Sequence, residues 1–522
     1  MKNNPKWLDD AVFYEIYLPS FCDSNGDGIG DIKGAISKLD YIRDSGFSAI
    51  WLNPWFASGF RDGGYDITDF YSVDPRYGTN EDAKLFCREC HQRGIKVILD
   101  LVIGHTSIDH PWFVESCKSE KNRYSDLFIW SPQLYWRGDP ADPGDYYVSG
   151  WSSKGAYKAN FFAVQPAFNF GYNEVRFPWE MSWDSEIPRK NRELMKNIMR
   201  YWLDFGCDGF RVDTACCVIK RDPEYKRTRE FWREVRDMFE KEYPEAILVS
   251  EWFEPQYALD CGFHIDFANS GKLFRNDDWL SLENSSDPVI MADQEASGLP
   301  EWLSVYLDDL QKTNQKGYMA FCSGNHDRWR MRHYFGMDNM VVNMALIMTM
   351  PGIPFIYYGD EIGMRYLPGL STEGSGSRGG SRSPMQWDNS VNHGFSKAAP
   401  EKLYLPTDTA YDAPVVSDAL AGKNRVYTEV CKLTGLRKNH AALHPAAGLE
   451  FLHGTAGSFP LVYRRKNGKD SCIIFLNPCK DEKVLSLQVA DENVLWNYNG
   501  VVWADGKVIM PPVSAAIVSE NK

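Results

Sequence analysis

Short runs of nearly unbroken apolar, β-rich residues alternate with stretches of helical periodicity over most of the chain. The runs fall at 13–18, 49–52, 96–102, 209–213, 247–252, 263–267, 319–323 and 354–358. They have strand length rather than helix length and are bounded by polar or glycine-bearing residues. Helical patterns lie between them, for instance at 32–45, 80–93, 191–205, 227–241 and 340–350. Strands mostly followed by helices predict a parallel sheet, and eight strands is the number that closes. A strand in such a sheet is buried on both faces, which accounts for runs that are apolar at successive positions. The fold expected is α/β, a (β/α)8 TIM barrel.

Two intervals break this rhythm. Between His105 and Tyr172 the chain is rich in Trp, Tyr, Pro and Gly and has no long amphipathic helix. It is expected to form a subdomain inserted after the third strand. Toward the end, 461–465, 471–476, 484–489 and 515–518 read as short antiparallel strands divided by turns such as Lys466-Asn467-Gly468. The predicted division is a barrel over 1–105 and 173–442, a subdomain over 106–172 and a C-terminal antiparallel β-sandwich over 443–522. No internal repeat is visible.

Composition narrows the functions available. Of 522 residues, 43% are hydrophobic and 25% charged, the balance of a packed globule. The 71 acidic residues outnumber the 57 basic ones, giving a net charge of −14. Such a surface repels phosphate backbones and anionic lipids, so neither nucleic acid nor a membrane is an expected partner. No run approaches the roughly 18 apolar residues of a membrane span. Residues 1–10 lack the apolar core of a signal peptide, so a cytoplasmic location is expected. Aromatic residues reach 14%, and flat rings beside carboxylates suit sugar faces.

The twelve cysteines follow no disulfide framework, and Cys87-x-x-Cys90 lies in a helical pattern without a second pair at zinc-site spacing. They read as free thiols in a reducing compartment. Gly374-x-Gly376-x-x-Gly379 spells a dinucleotide fingerprint but does not join a strand to a helix, so it reads as a mobile loop. No organic cofactor is expected. Asn284-Ser285-Ser286 is a glycosylation sequon that stays inert in the cytosol.

Candidate chemistry sits at strand ends, where barrels of this kind place it. Asp100 and His105 close the third strand, Arg211 and Asp213 the fourth, and Glu251 the fifth, while His326 and Asp327 follow the seventh. A charge beside core residues is costly unless it is paired or used. The structural alternative is a buried salt-bridge network at the rim. Three acids on three strands, with an arginine and two histidines, point instead to acid/base work on a neutral ligand.

The same residues carry a resemblance. Asp100-Leu-Val-Ile-Gly-His105, Gly209-Phe-Arg-Val-Asp213, Glu251 and Asn325-His-Asp327 resemble, in order, the motifs of the α-amylase superfamily, glycoside hydrolase family 13. Gly64-Tyr-Asp66, Gln165-Pro-Ala-Phe-Asn169 and Gly352-Ile-Pro-Phe-Ile-Tyr-Tyr-Gly-Asp-Glu361 support it. The resemblance implies a retaining glycosidase with Asp213 as nucleophile, Glu251 as acid and base, and Asp327 binding sugar hydroxyls. Arg211 would keep Asp213 ionised, while Tyr65, Asp66, His105 and His326 would line the sugar subsite. Ser381-Arg382-Ser383-Pro384-Met385-Gln386-Trp387 resembles a loop of exo-acting members, in which Arg382 and Asp66 would clamp the terminal glucose. Arg330 is a further candidate for orienting the acids.

Asp23-Ser-Asn25-Gly-Asp27-Gly-Ile29-Gly-Asp31 alternates oxygen donors with small residues, a pattern suited to a hard cation. It resembles the first-loop calcium site of oligo-1,6-glucosidase-like members. Asp23, Asn25, Asp27 and Asp31 would bind Ca²⁺ by side chain and Ile29 by its carbonyl. A second calcium site of the family is expected to be missing, because Gly104 stands where its Asn would be, and Ala167 likewise replaces an Asp. Cys216 and Cys217 replace the Lys and His of amylases that attack long glucans. Thr214-Ala215 is similar to α-1,4-acting α-glucosidases. The function expected is exo-hydrolysis of short α-glucosides, with a small oligosaccharide as partner. A trehalose synthase-like transglycosylase or isomerase and an inactive sugar-binding homologue are the alternatives.

Overall fold

The computed structural model describes residues 4–142, 144–268, 291, 296, 298–313, 316–487 and 493–521. The sequon at Asn284 lies outside them. Eight strands form the centre: β1 (Phe13–Ile16), β2 (Ala49–Leu52), β3 (Lys96–Leu101), β4 (Gly209–Val212), β5 (Ile247–Ser250), β6 (Ile265–Phe267), β7 (Tyr318–Cys322) and β8 (Ile353–Tyr357). They close into a barrel in the order β1-β8-β7-β6-β5-β4-β3-β2, and every pair is parallel. Alternation along each strand divides the apolar residues between two cores. Phe13, Trp51, Ile98, Val249, Phe267 and Phe355 fill the barrel. Their neighbours Tyr14, Ile50, Val97, Leu99 and Leu248 belong to the outer core that also takes in the helices.

The main helices are α1 (Asn80–Gln92), α2 (Glu186–Phe205), α3 (Lys226–Glu242), α4 (Leu299–Thr313), α5 (Met337–Thr349) and α6 (Arg425–Asn439). A capping box between Thr79 and Asp82 starts α1, in which Cys87 and Cys90 are buried free thiols. The expected helix over 32–45 is split into Ile32–Ile36 and Leu39–Asp44. The Ser37 hydroxyl donates to the Gly34 carbonyl at 2.6 Å, an alternative to continuing the helical ladder. At the start of β4, a Cβ on Gly209 would sit 2.2 Å from the Ile247 carbonyl oxygen, so only glycine lets β4 lie this close to β5.

Between β3 and α2 lie a short helix, Pro111–Ser116, and a three-stranded sheet of Trp130–Ser131, Gly155–Lys158 and Tyr147–Ser152. A bridge from His105 to Ala167 ties this segment to the end of β3. The C-terminal strands form an antiparallel five-stranded sheet and a three-stranded sheet. Val462, Ile473, Phe475, Val508, Met510 and Val518 pack between the two, making the sandwich. Its seam with the barrel holds the buried Arg437 and Arg465. Among the described residues no helix is long and apolar enough to cross a membrane.

Candidate active site

Strand register brings the first group together. Asp100 pairs with Arg211 across β3 and β4, and Val212 pairs with Ser250 across β4 and β5. The next residues on those two strands, Asp213 and Glu251, therefore stand side by side at the rim. One guanidinium joins them. Arg211 Nη1 lies 2.8 Å from Asp100 and 3.1 Å from Asp213, and Nη2 lies 2.7 Å from Glu251. Thr214, in the left-handed region at φ 43°, turns its amide onto Glu251 Oε2 at 2.9 Å, and its hydroxyl stands 3.4 Å from Asp213 Oδ2. A β-branched residue in that region is strained, which the two acids it bridges help to hold.

Arg211 was expected to favour the ionised form of Asp213, and its charge acts in that direction. Burial and then the Glu251 charge push the Asp213 carboxyl well above the usual carboxylate range, and Arg211 only partly offsets them. The reason is geometric, since Arg211 divides its charge among three carboxylates and approaches Glu251 more closely than Asp213.

A second group sits across the barrel mouth. Asp327 Oδ1 is bound by Arg382 at 2.8 Å and Arg378 at 3.0 Å, and its Oδ2 lies 3.2 Å from His326 Nε2. Burial opposes the Asp327 charge, but His326, Arg378 and Arg382 hold the carboxyl well below its ordinary value. Burial also opposes the His326 imidazolium, and Asp327 and Glu15 overcome it, raising this histidine to about 9. Tyr65 links the groups. Its hydroxyl donates to Asp100 at 2.8 Å and meets His326 at the same distance, with its ring stacked on the imidazole. A chain of polar contacts thus runs from Glu251 and Asp213 through Arg211, Asp100, Tyr65 and His326 to Asp327. Arg211 and Asp100 are 2% and 0% exposed, whereas Asp213 and Asp327 are 13% and 32% exposed. The outer acids face the opening, and the inner members hold them.

Four expected residues are buried and bonded within the protein. His105 is buried against the Tyr65 carbonyl and Asn160, and burial lowers it to about 4. Asp66 is fully buried, its oxygens accepting from the amides of Arg61 and Asp62 and from Ser58 and Ser107. It shapes the turn that presents Asp62. Arg382 is likewise fully buried, reaching the His326 carbonyl and Asp327. Arg330 turns to the Tyr358 carbonyl and Asp360, not to the rim acids.

Asp62, Arg378 and Glu15 were not singled out from the sequence. Arg378 bridges Asp62 at 2.9 Å and Asp327 at 3.0 Å, and Gln165 fixes the other Asp62 oxygen at 2.8 Å. Asp62 is close enough for its charge to act on Asp213. Arg378 lies inside the Gly/Ser segment that read only as a loop. Glu15 stands within an apolar strand, 2.7 Å from His326, and a carboxylate in such a run was the available signal.

The acidic first loop curls around its own backbone. Asp23 Oδ1 accepts from the amides of Asn25 and Gly26, Asp27 Oδ1 accepts from Ile29, and Asp31 caps Gly34. No basic side chain pairs with Asp23, Asp27 or Asp31 among the described residues. The donors are all oxygen, the chemistry a hard cation takes, but the three carboxylates are spread along the loop and do not gather on one point. Near Gly104, the Lys220 ammonium lies 2.8 Å from Asn160 Oδ1 and 2.7 Å from the Cys217 carbonyl.

A closed parallel barrel whose strand ends gather carboxylates around one arginine is an arrangement suited to acid/base chemistry on a sugar. The model of the α-amylase catalytic domain matches residues 15–446, and the chain belongs to that family, glycoside hydrolase family 13. It is 31% identical to trehalose synthase/amylase TreS of Mycolicibacterium smegmatis, over 82% of this chain and 74% of that protein. It is 30% identical to the oligo-1,6-glucosidase of Parageobacillus thermoglucosidasius, over 90% of each. A solved isomaltulose synthase mutant from Erwinia rhapontici NX5, in complex with its natural substrate sucrose, superposes with a TM-score of 0.82. That match has 25% identity and covers 99% of this chain and 100% of that one.

Proposed function

We propose that the protein is a retaining, exo-acting α-glucosidase that hydrolyses short α-glucosides, with preference for α-1,4 bonds. The observation that carries this reading is the single Arg211 guanidinium bound to both Asp213 and Glu251. One guanidinium holds only carboxylates a few ångströms apart, and retaining pairs stand roughly 5–5.5 Å apart. Asp213 attacks the anomeric carbon and forms a β-glucosyl ester. Glu251 gives its proton to the departing oxygen, then takes one from the water that releases glucose. Asp327 binds ring hydroxyls and favours the oxocarbenium-like transition state. Asp62 and Arg378, rather than Asp66 and Arg382, clamp the terminal glucose, and Arg382 holds Asp327 from beneath.

A second reading, isomerisation of a disaccharide without release, is favoured by the likeness to the sucrose-bound isomaltulose synthase. Product analysis on maltose, isomaltose, sucrose, trehalose and soluble starch separates the two. Hydrolysis is expected to release α-glucose fastest from maltose, whereas an isomeric disaccharide as main product would replace the first reading with the second.

We also propose a structural Ca²⁺ held by Asp23, Asn25, Asp27, Asp31 and the Ile29 carbonyl. A chelator is expected to lower the melting temperature, and a melting temperature unmoved by it counts against the ion.

A further inference from the structure

The turn that follows Asp213 carries two adjacent thiols. Cys216 and Cys217 lie on a single helical turn, Ala215–Cys217, with their sulfurs 3.3 Å apart. Of the twelve cysteines in the chain, Cys217 alone is exposed, and Cys216 beside it is half-buried. The turn is tied to the acids. The Thr214 amide donates to the Glu251 carboxylate, the Ala215 amide to the Glu251 carbonyl at 3.2 Å, and Trp232 to the Ala215 carbonyl at 2.9 Å. Both thiols feel the Glu251 charge. On the glucosidase reading Glu251 serves the leaving group, so the turn bonded to it would flank the acceptor side.

We propose that Cys216 and Cys217 form a thiol pair at the acceptor rim that reacts with small-molecule disulfides, and that the reacted pair closes the pocket to substrate. The closure rests on the glucosidase reading, whereas the thiol chemistry does not. The Cys217 thiolate attacks one sulfur of the disulfide and expels the other half as a thiolate. The Cys216 thiolate then attacks the Cys217 sulfur and expels the second half. The cysteines lose two electrons and two protons, which end on the two released thiols. The hydrogen bond with Cys216 draws Cys217 down to about 7, with burial opposing and Lys220 assisting, so much of it is thiolate at neutral pH. Adjacent Cα atoms are about 3.8 Å apart, below the roughly 4.4–6.8 Å that disulfides prefer. The closed ring is therefore strained and easily reduced again, which makes the modification reversible.

The test treats the reduced full-length protein with glutathione disulfide. Peptide mass spectrometry locates the product, and hydrolysis of an α-glucoside is followed in parallel. The first product is expected at Cys217, as a glutathione adduct or as a 216–217 peptide short of two hydrogens. It is expected with a fall in kcat/KM of about tenfold or more that a reducing dithiol restores. Cys217→Ser should abolish both the product and the inhibition, and Cys216→Ser should arrest at the adduct. Prior reaction at another cysteine, full modification of Cys217 without loss of rate, or a Cys217→Ser protein inhibited like its parent would overturn the proposal. A chain modified at Cys217 but inactive on every glucoside before treatment supports the thiol chemistry and sinks the glucosidase reading alone.

Discussion

Buried arginines serve both the barrel rim and the seam with the C-terminal sandwich, yet their partners differ. At the rim, burial alone would depress the Arg211 guanidinium, but Asp100 and Glu251 outweigh it and raise it well above its ordinary value. Arg382 is raised in the same way, by Tyr17 and Asp327 against burial. At the seam, Arg437 donates to the carbonyls of Met348, Gly352 and Leu443. Arg465 donates to those of Thr349, His444, Ala447 and Gly448. Neither forms an ion pair among the described residues, and burial lowers Arg437 to about 9 and Arg465 to about 10. Carbonyl dipoles satisfy the donors without neutralising the charge. The seam thus gains fixed geometry, while the rim sets its buried cations directly against carboxylates.

The largest effect is expected at the rim. Asp213→Asn should lower kcat by on the order of 10⁴-fold or more, because no covalent ester can form. The melting temperature at neutral pH should hold or rise. The folded state raises the Asp213 pKa, so above the unfolded value of 3.8 its ionisation costs folding free energy, and asparagine removes that cost. Near-parental turnover, or a clear loss of stability, would erase the contrast with the seam. Arg465→Ala should behave in the opposite way. Losing several charged hydrogen bonds to buried carbonyls is expected to cost about 3–5 kcal/mol, read by denaturant unfolding. Its kcat should stay near that of the parent below the unfolding transition.

The barrel was legible in the sequence because burial on both faces leaves nearly continuous apolar runs, and strand ends stand out as charges beside them. Asp213, Glu251 and Asp327 were read this way, and register rather than sequence then set Asp213 beside Glu251. The proposed clamp moves from Asp66 to Asp62 for a local reason. Asp62 and Asp66 share one turn, and only the fold decides which carboxylate is consumed by backbone amides. Arg378 was hidden by glycines and serines that signal a loop whatever side chain the loop carries. Glu15 was missed because one charge in a four-residue strand hardly changes its apolar pattern, although burying it requires a partner such as His326.

That partner supplies the smallest of the three effects and the sharpest distinction between rim and seam. His326 faces Glu15 and Asp327, with Asn53, Tyr65, Tyr17 and Trp51 also in contact with its ring. Its folded pKa rises from 6.5 to about 9. A histidine raised in this way contributes stability that is fully present below pH 6.5 and is lost as pH climbs through about 9. Asp327, held low, contributes on the opposite limb, above its unfolded value of 3.8 and lost in acid. His326→Gln should therefore be less stable than the parent at pH 6.5, with the gap narrowing by on the order of 3 kcal/mol toward pH 9. Over the same window the Arg465→Ala gap should stay nearly flat, since Arg465 titrates only near 10. Unfolding curves of both variants across that range decide the matter. Parallel gaps would mean that the imidazolium is not held by the two carboxylates, and that rim and seam differ in partners but not in electrostatics.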